Sequence, residues 1–514
     1  MEKKGLVYLV GAGPGDPGLF TLKGKTVLEK ADVIIYDRLV SSRILAFAPS
    51  NAELIYVGKI SGNHAMSQDE INALLVQKAK AAKVIVRLKG GDPFLFGRGG
   101  EEALYLRENG IDFEIVPGIT SAISVPAYAG IPVTHRDSTS SLTIVTGHEK
   151  PGKHESSINW NELANSVSTV VFLMGVENLE YITESLINAG KDPRTPIALI
   201  RWGTLPEQEI LTGNLEDIVI QVKNVGFKPP AVIVVGEVVN LREKLSWVEN
   251  KPLWGKRIIV TRARAQASNL VERIAELGAE PIEFPTITIE REDNYIALHN
   301  AFANISNYDW LIFTSVNAVK IFFDELKNVN MDIRQLQNIK ICAIGPATRE
   351  VLEEKGIIVD TMPDEYRAEG IIEELKTRIL PNQWVLLPRA RGARSIIPKT
   401  LKSWGINVNE VHLYKAVAEK RVSKEMFETI INGEVDFITF TSSSTVDNFV
   451  NIVGKDNALR INKKAKIACI GPITAKTAEQ AGFSIDVMAK NYTIEGLIEA
   501  IINYVNSKGG EDNK

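Results

Sequence analysis

The chain has 514 residues, too many for one hydrophobic core, and length alone predicts about three or four globular units. With 59 basic against 63 acidic side chains and a net charge of −4, no overall field exists to draw in nucleic acid or an anionic membrane surface. No run approaches the roughly 18 to 20 apolar residues of a membrane span, and Met1–Lys4 leads directly into a strand-like segment, so a cytoplasmic location is the expectation.

Gly5–Val10 reads as a buried strand, followed by the loop Gly11–Phe20 and a helical pattern from Thr21 to Lys30. A second strand, Val33–Tyr36, ends in Asp37, about where a dinucleotide fold places its ribose-binding acid. Two details argue against a nicotinamide site. The third fingerprint glycine falls at Asp16, and Pro14 and Pro17 interrupt the stretch where a phosphate-binding helix offers its amides. The next strand, Glu53–Val57, runs through Gly58 to Lys59, so Asp37 and Lys59 both stand just past strand ends, facing one cavity or merely solvated. Ser67, with Glu70 three residues on, reads as a helix cap.

The stretch Val86–Gly99 runs from a short apolar strand into a turn rich in glycine. Gly90 and Gly91 can take positive φ, Asp92 can hydrogen-bond its own turn, and Pro93 keeps a helix from starting where amides must stay free. Val116–Ala122 supplies another strand-to-helix joint, with Thr120 and Ser121 at the helix start, and Ile131–Arg136 brings His135 and Arg136 together. A second alternating block follows in Thr143–His148, Thr169–Gly175, Thr195–Thr204 and Pro230–Gly236. Several strand-to-helix joints converging on one region predict a pocket more strongly than any one glycine run.

Gly11–Pro17, Tyr36–Val40, Leu88–Gly99 and Val116–Ala122 resemble, in order, the signature segments of the S-adenosylmethionine-dependent uroporphyrinogen-III C-methyltransferases of the tetrapyrrole methylase family, over roughly residues 5 to 245. The resemblance implies a two-lobed α/β enzyme, a homodimer with its cofactor between the lobes, that methylates C2 and C7 of uroporphyrinogen III to precorrin-2. It implies S-adenosylmethionine contacts at Pro14, Gly90, Gly91, Asp92, Leu95, Thr120, Ser121, Met174 and Gly203, many through backbone atoms. It also implies Asp37 as base and Lys59 as acid. Electron-rich pyrrole carbons attack a sulfonium methyl directly when held in line, so positioning supplies most of the acceleration. The cationic ring left behind sheds a proton, which Asp37 is suited to take, or Asp37 orients the macrocycle instead. Arg38, Arg98, His135 and Arg136 are candidate partners for the substrate's carboxylates or ordinary surface charges.

Leu241–Trp254 breaks the alternation with charges and a proline and reads as a linker or docking segment, which places a first domain at 1–245, a linker at 246–254 and a second domain at 255–506. Within the second domain three segments recur at a spacing of about 127 residues, the sign of a duplication. Lys256–Arg264 pairs with Gln383–Arg391, Asp309–Ser315 with Asp436–Ser442, and Ile341–Pro346 with Ile467–Pro472. Cys342 and Cys469 sit in the last pair, inside short apolar runs, which predicts small buried side chains and no disulfide or redox pair. His148 and His154 lack the companions of a metal site, and no metal is expected.

This half resembles uroporphyrinogen-III synthase through Val260–Arg262, Phe313–Ala318, Leu413–Lys415 and Phe440–Ser443. The resemblance implies two α/β lobes, one from 255–286 plus 418–506 and the other from 289–415, with the chain crossing near Phe284–Ile289 and returning near Val411–Val417. The family reaction closes hydroxymethylbilane with inversion of ring D and loss of water, without a cofactor. It implies that Tyr414 assists departure of the hydroxyl group and that Arg262, Thr314, Ser315 and Ser443 bind side-chain carboxylates; helix capping is the other reading of Thr314–Ser315. Together the halves would convert hydroxymethylbilane to precorrin-2, for sirohaem or cobalamin. A nicotinamide oxidoreductase, a noncatalytic hinged binding module in the second half, and a methylase acting at another ring position are the competing readings.

Overall fold

The computed structural model describes residues 5–49, 51–58, 66–81, 83–147, 158–262, 264–418, 424–432 and 434–508. Lys59, His148 and His154 lie outside the described residues. Contacts divide the chain into two compact units, one centred on the residues up to Ile258 and the other on Ile282–Ile501. Among the described residues no helix is long and apolar enough to cross a membrane.

The first unit carries two sheets. β1 (Leu6–Gly11), β2 (Val33–Tyr36), β3 (Glu53–Tyr56), β4 (Val84–Lys89) and β5 (Phe113–Val116) form a wholly parallel sheet in the order β3-β2-β4-β1-β5. Its central strands are mostly apolar because both faces are covered, Arg87 and Lys89 of β4 excepted. Leu9, Ile35 and Ile85 point into one cluster with Leu75 and Leu106, while their neighbours Val10, Ile34 and Val86 enter another with Leu28 and Ile44. The helix Leu22–Leu28 starts where Thr21 Oγ1 accepts from Gly24 N at 3.0 Å. Ser67 and Glu70 close a reciprocal cap on Gln68–Ala81, at 3.3 and 2.6 Å.

β6 (Leu142–Thr146), β7 (Thr169–Leu173), β8 (Pro196–Arg201), β9 (Glu209–Asn214) and β10 (Ala231–Val235) form the second sheet, ordered β6-β7-β10-β8-β9. Here β10 runs antiparallel to both β7 and β8, so its first residues meet their last ones. That reversal brings three segments to one sheet edge. After β10 the short helix Arg242–Leu245 and the residues behind it dock on the first half: Arg242 donates to the Ala129 carbonyl at 2.7 Å and Trp247 Nε1 to that of Ala127 at 3.0 Å.

The second half builds its sheets across the chain order. β11 (Arg257–Val260) and β12 (Glu280–Glu283) begin one sheet; the chain then lays down β13 (Ile287–Arg291), β14 (Trp310–Phe313), β15 (Lys340–Ala343), β16 (Trp384–Arg391) and β17 (Asn407–Ala418) as another. It returns to the first with β18 (Phe437–Phe440), β19 (Lys466–Cys469) and β20 (Val487–Met488). The orders are β12-β11-β18-β19-β20 and β13-β17-β16-β14-β15. Each sheet thus takes its arginine-bearing strand, β11 or β16, from one copy of the repeat and the strand pair on one side of it, β18–β19 or β14–β15, from the other. β17 pairs parallel with β16 and, through its last residues, antiparallel with β13, so both crossings lie in this two-stranded connection. Burial pushes the thiols of Cys342 and Cys469 up to about 12, and both are buried and unpaired.

Candidate active sites

The first unit encloses a cavity of about 320 Å³ at the carboxyl edge of its parallel sheet. Loops from both sheets line it. Pro14 follows β1, Gly90, Gly91, Asp92 and Leu95 follow β4, and Thr120 and Ser121 open the helix Ser121–Tyr128. From the second sheet come Met174 after β7 and Gly203 after β8, with the start of β10 between them. Asp37 stands on the same cavity at the end of β2.

Backbone proximity shapes this site. Gly13 and Gly91 exchange two amide-to-carbonyl hydrogen bonds, at 3.1 and 2.7 Å, which fastens the β1 loop to the β4 loop. Gly118 packs so closely behind them that a Cβ there would lie 2.2 Å from the Gly91 carbonyl oxygen. The Asp92 carboxylate accepts from the amides of Phe94 (2.8 Å) and Leu95 (3.1 Å) on one oxygen and from Gly118 (2.9 Å) on the other, tying the β4 turn to the β5 loop. Three side-chain-bearing residues of the lining, Phe96, Met174 and Trp202, hold positive φ of 55°, 57° and 48°. Such left-handed backbone is strained for these residue types and marks a site whose shape is held by its surroundings.

Opposite this polar rim the lining is apolar, with Val125, Leu173, Ile200, Trp202 and Leu205. A cavity of this volume with one apolar wall and a few convergent polar groups fits a nucleoside-sized ligand. Asp16, the residue that spoils the dinucleotide fingerprint, is committed elsewhere. Its carboxylate accepts from Gly18 N and from Tyr128 Oη, and its amide donates to Thr204 Oγ1, so β1 leads into a single short turn at Pro17–Leu19.

Charge enters the cavity through Asp37 and Lys89. Asp37 Oδ1 accepts from Leu39 N at 3.1 Å, and Arg87 Nη2 lies 3.7 Å from Oδ2. Lys89, buried at the end of β4, has its ammonium pKa lowered by burial and then by Arg87, against the opposing pull of Glu102. The sequence alone does not single out Lys89; its place beside Gly90 is the available signal. Arg38 and Arg136 are exposed, Arg98 is engaged with Glu101 at 2.7 Å, and none of the three lines the cavity.

In the second half the site residues fall into two sets by sheet. Ser315 caps the helix Val316–Asn328 by accepting from Ala318 N at 3.1 Å, and its hydroxyl lies 2.8 Å from that of Tyr414, with half-buried Thr314 just before it. Tyr414 follows a bulge at Arg389/Ala390, where the β16–β17 register shifts by one residue and re-aims the side chains beyond. On the other sheet Arg262 follows β11, and Ser443 opens the helix Ser443–Val453, where its hydroxyl accepts from Thr477 Oγ1 at 2.8 Å. Burial lowers the pKa of Arg262.

Residues 6–219 match the family model for tetrapyrrole (corrin/porphyrin) methylases, and residues 268–499 match that for uroporphyrinogen-III synthase HemD. The porphyrin biosynthesis protein HemD of Ruminiclostridium josui is 41% identical over 97% of this chain and 98% of its own length. The S-adenosyl-L-methionine-dependent uroporphyrinogen III methyltransferase of Methanosarcina barkeri is 54% identical over 47% of this chain and 94% of its own. Among solved structures, uroporphyrin-III C-methyl transferase from Thermus thermophilus, complexed with S-adenyl homocysteine, is 42% identical, covers 46% of this chain and 100% of that one, and has a TM-score of 0.41. With one relative matched from end to end and a separate family model on each half, the chain belongs to the porphyrin biosynthesis proteins that fuse a tetrapyrrole methylase to a uroporphyrinogen-III synthase.

Proposed function

We propose that the second half closes hydroxymethylbilane to uroporphyrinogen III, inverting ring D and releasing water, and that the first half methylates C2 and C7 of that product with S-adenosylmethionine to give precorrin-2. The domain limits of this reading are 1–245 for the C-methyltransferase, 246–254 for the linker and 255–506 for the synthase, a hydro-lyase. The protein would work in the cytoplasm as a homodimer through its methyltransferase half. The observation that carries the reading is the convergence of Pro14, the Gly90–Asp92 turn, Thr120, Met174 and Gly203 on one cavity that also holds Asp37.

S-adenosylmethionine supplies an electrophilic methyl group when bound. The chain's own part is positional. Glycine backbones allow close approach, the strained Met174 and Trp202 turns fix the wall, and the apolar side excludes water from the reacting carbon. Asp37, at the rim, takes the proton that the methylated ring releases. In the second half Tyr414, paired with Ser315, assists departure of the hydroxyl group, while Arg262, Thr314 and Ser443 hold carboxylates of the folded bilane.

Anaerobic incubation with hydroxymethylbilane, with and without S-adenosylmethionine, followed by mass and regiochemical analysis, tests both steps. Uroporphyrinogen III without the donor and its dimethylated derivative with it are expected. Ring closure no faster than the spontaneous reaction, or methylation at other carbons, would overturn the corresponding half.

A further inference from the structure

Four charged side chains, two lining the cavity and two behind it, form one connected set. Arg87 and Lys89, two residues apart on β4, share one face of the strand. Glu102, on the helix Gly99–Glu108, is fully buried and does not reach the cavity. Its Oε1 takes Lys89 Nζ at 2.9 Å, Arg87 Nε at 3.2 Å and Gln68 Nε2 at 3.2 Å, while Oε2 is buried with no hydrogen-bond partner. Arg87 reaches on to Asp37, at 3.7 Å. Two cations and two carboxylates leave no net charge. Glu102 gathers two cations on one oxygen, and the second negative charge that balances them is Asp37 in the cavity.

The geometry points to Glu102 and Lys89 as positioning residues that set, through Arg87, how tightly Asp37 holds its proton. The inference rests on the reading of Asp37 as the base. The charged groups around Asp37 are Arg87 and Lys89 from β4, Glu102 from the helix behind them and exposed Arg38 beside it; Lys59, beyond β3, is outside the described residues. Removing Glu102's charge leaves both cations to face Asp37 alone. Removing the charge of Lys89 leaves Arg87 shared between two carboxylates.

The test is the pH dependence of single-turnover methylation of uroporphyrinogen III by the full-length chain. In Glu102→Gln, which keeps volume and an acceptor oxygen, the acid limb should move to lower pH by about one unit; in Lys89→Met it should move to higher pH by about as much. Lys89→Arg should restore the original profile. A merely structural network would slow both variants without moving the limb, or move both the same way, and either result overturns the inference. Asp37→Asn separates the two levels: an acid limb that persists there overturns the base reading and this inference with it, whereas a limb lost there but unmoved in the other two overturns this inference alone. Should Glu102→Gln fail to fold, Lys89→Met decides, a rise supporting the network and an unmoved limb overturning it.

Discussion

Asp92 has a role that its position in a glycine-rich loop disguises. Both of its oxygens accept from backbone amides, two in its own turn and one across the gap at Gly118, so the carboxylate positions the loops on which a ligand would rest. Asp92→Asn would turn an amide NH₂ toward one of those donors. Leaving it unpaired costs about 1–3 kcal/mol. Thermal melting should show a lower midpoint and a smaller stabilisation by added S-adenosylmethionine; a midpoint equal to that of the unaltered chain would mean that the carboxylate does not hold the loops.

At this scale the sequence was legible wherever chemistry follows from local conformation. The Gly90–Asp92 turn and the caps at Ser67 and Ser315 need only their neighbours to be understood. Glu102 was not legible. It stands beside Glu101, which has the same side chain and the same helix, yet Glu101 faces solvent and Glu102 is fully buried, where it meets Arg87, Lys89 and Gln68 from elsewhere in the chain. Nothing local marks the burial of Lys89 at the end of β4, for the same reason.

Between elements, the parallel sheet's loops are held by a contact that no side chain could replace. Gly118 meets the Gly91 carbonyl and Gly11 with backbone on both sides, so neither neighbour can rotate away. Gly118→Ala should therefore separate the β1, β4 and β5 loops and abolish cofactor binding. Gly100 is the matched control, since a Cβ there meets nothing within 4 Å and the position is helical. Gly100→Ala should keep binding and gain roughly 0.5–1 kcal/mol. Isothermal titration with S-adenosylmethionine distinguishes them; comparable affinity in both variants would refute the close-approach account. Most strands and joints could be read from apolar runs and glycine punctuation, whereas β9 and β20 were not among them. The antiparallel insertion of β10 between β7 and β8 could not, because an apolar run such as Ala231–Val235 carries no mark of its direction.

For the molecule as a whole, the repeat of about 127 residues predicted duplication from the sequence, but its segments do not fold as two consecutive units. Severing the exposed link at Pro381–Asn382 would put β11 to β15 on one fragment and β16 to β20 on the other. Neither fragment then holds a complete sheet of the second half, although the first keeps β1 to β10. The fragment from residue 382 onward should lack a cooperative melt by circular dichroism, and mixing the two should restore ring closure of hydroxymethylbilane; cooperative melting of that fragment by itself would contradict the shared construction.

Trading strands is what two identical subunits do when they swap segments, and such pairs come apart at low concentration because their stability depends on meeting. Here the trade is made within one chain, with β13 and β17 as the tether. Dilution therefore has no hold on the intact second half, whereas the severed form should become weaker with every tenfold reduction in concentration.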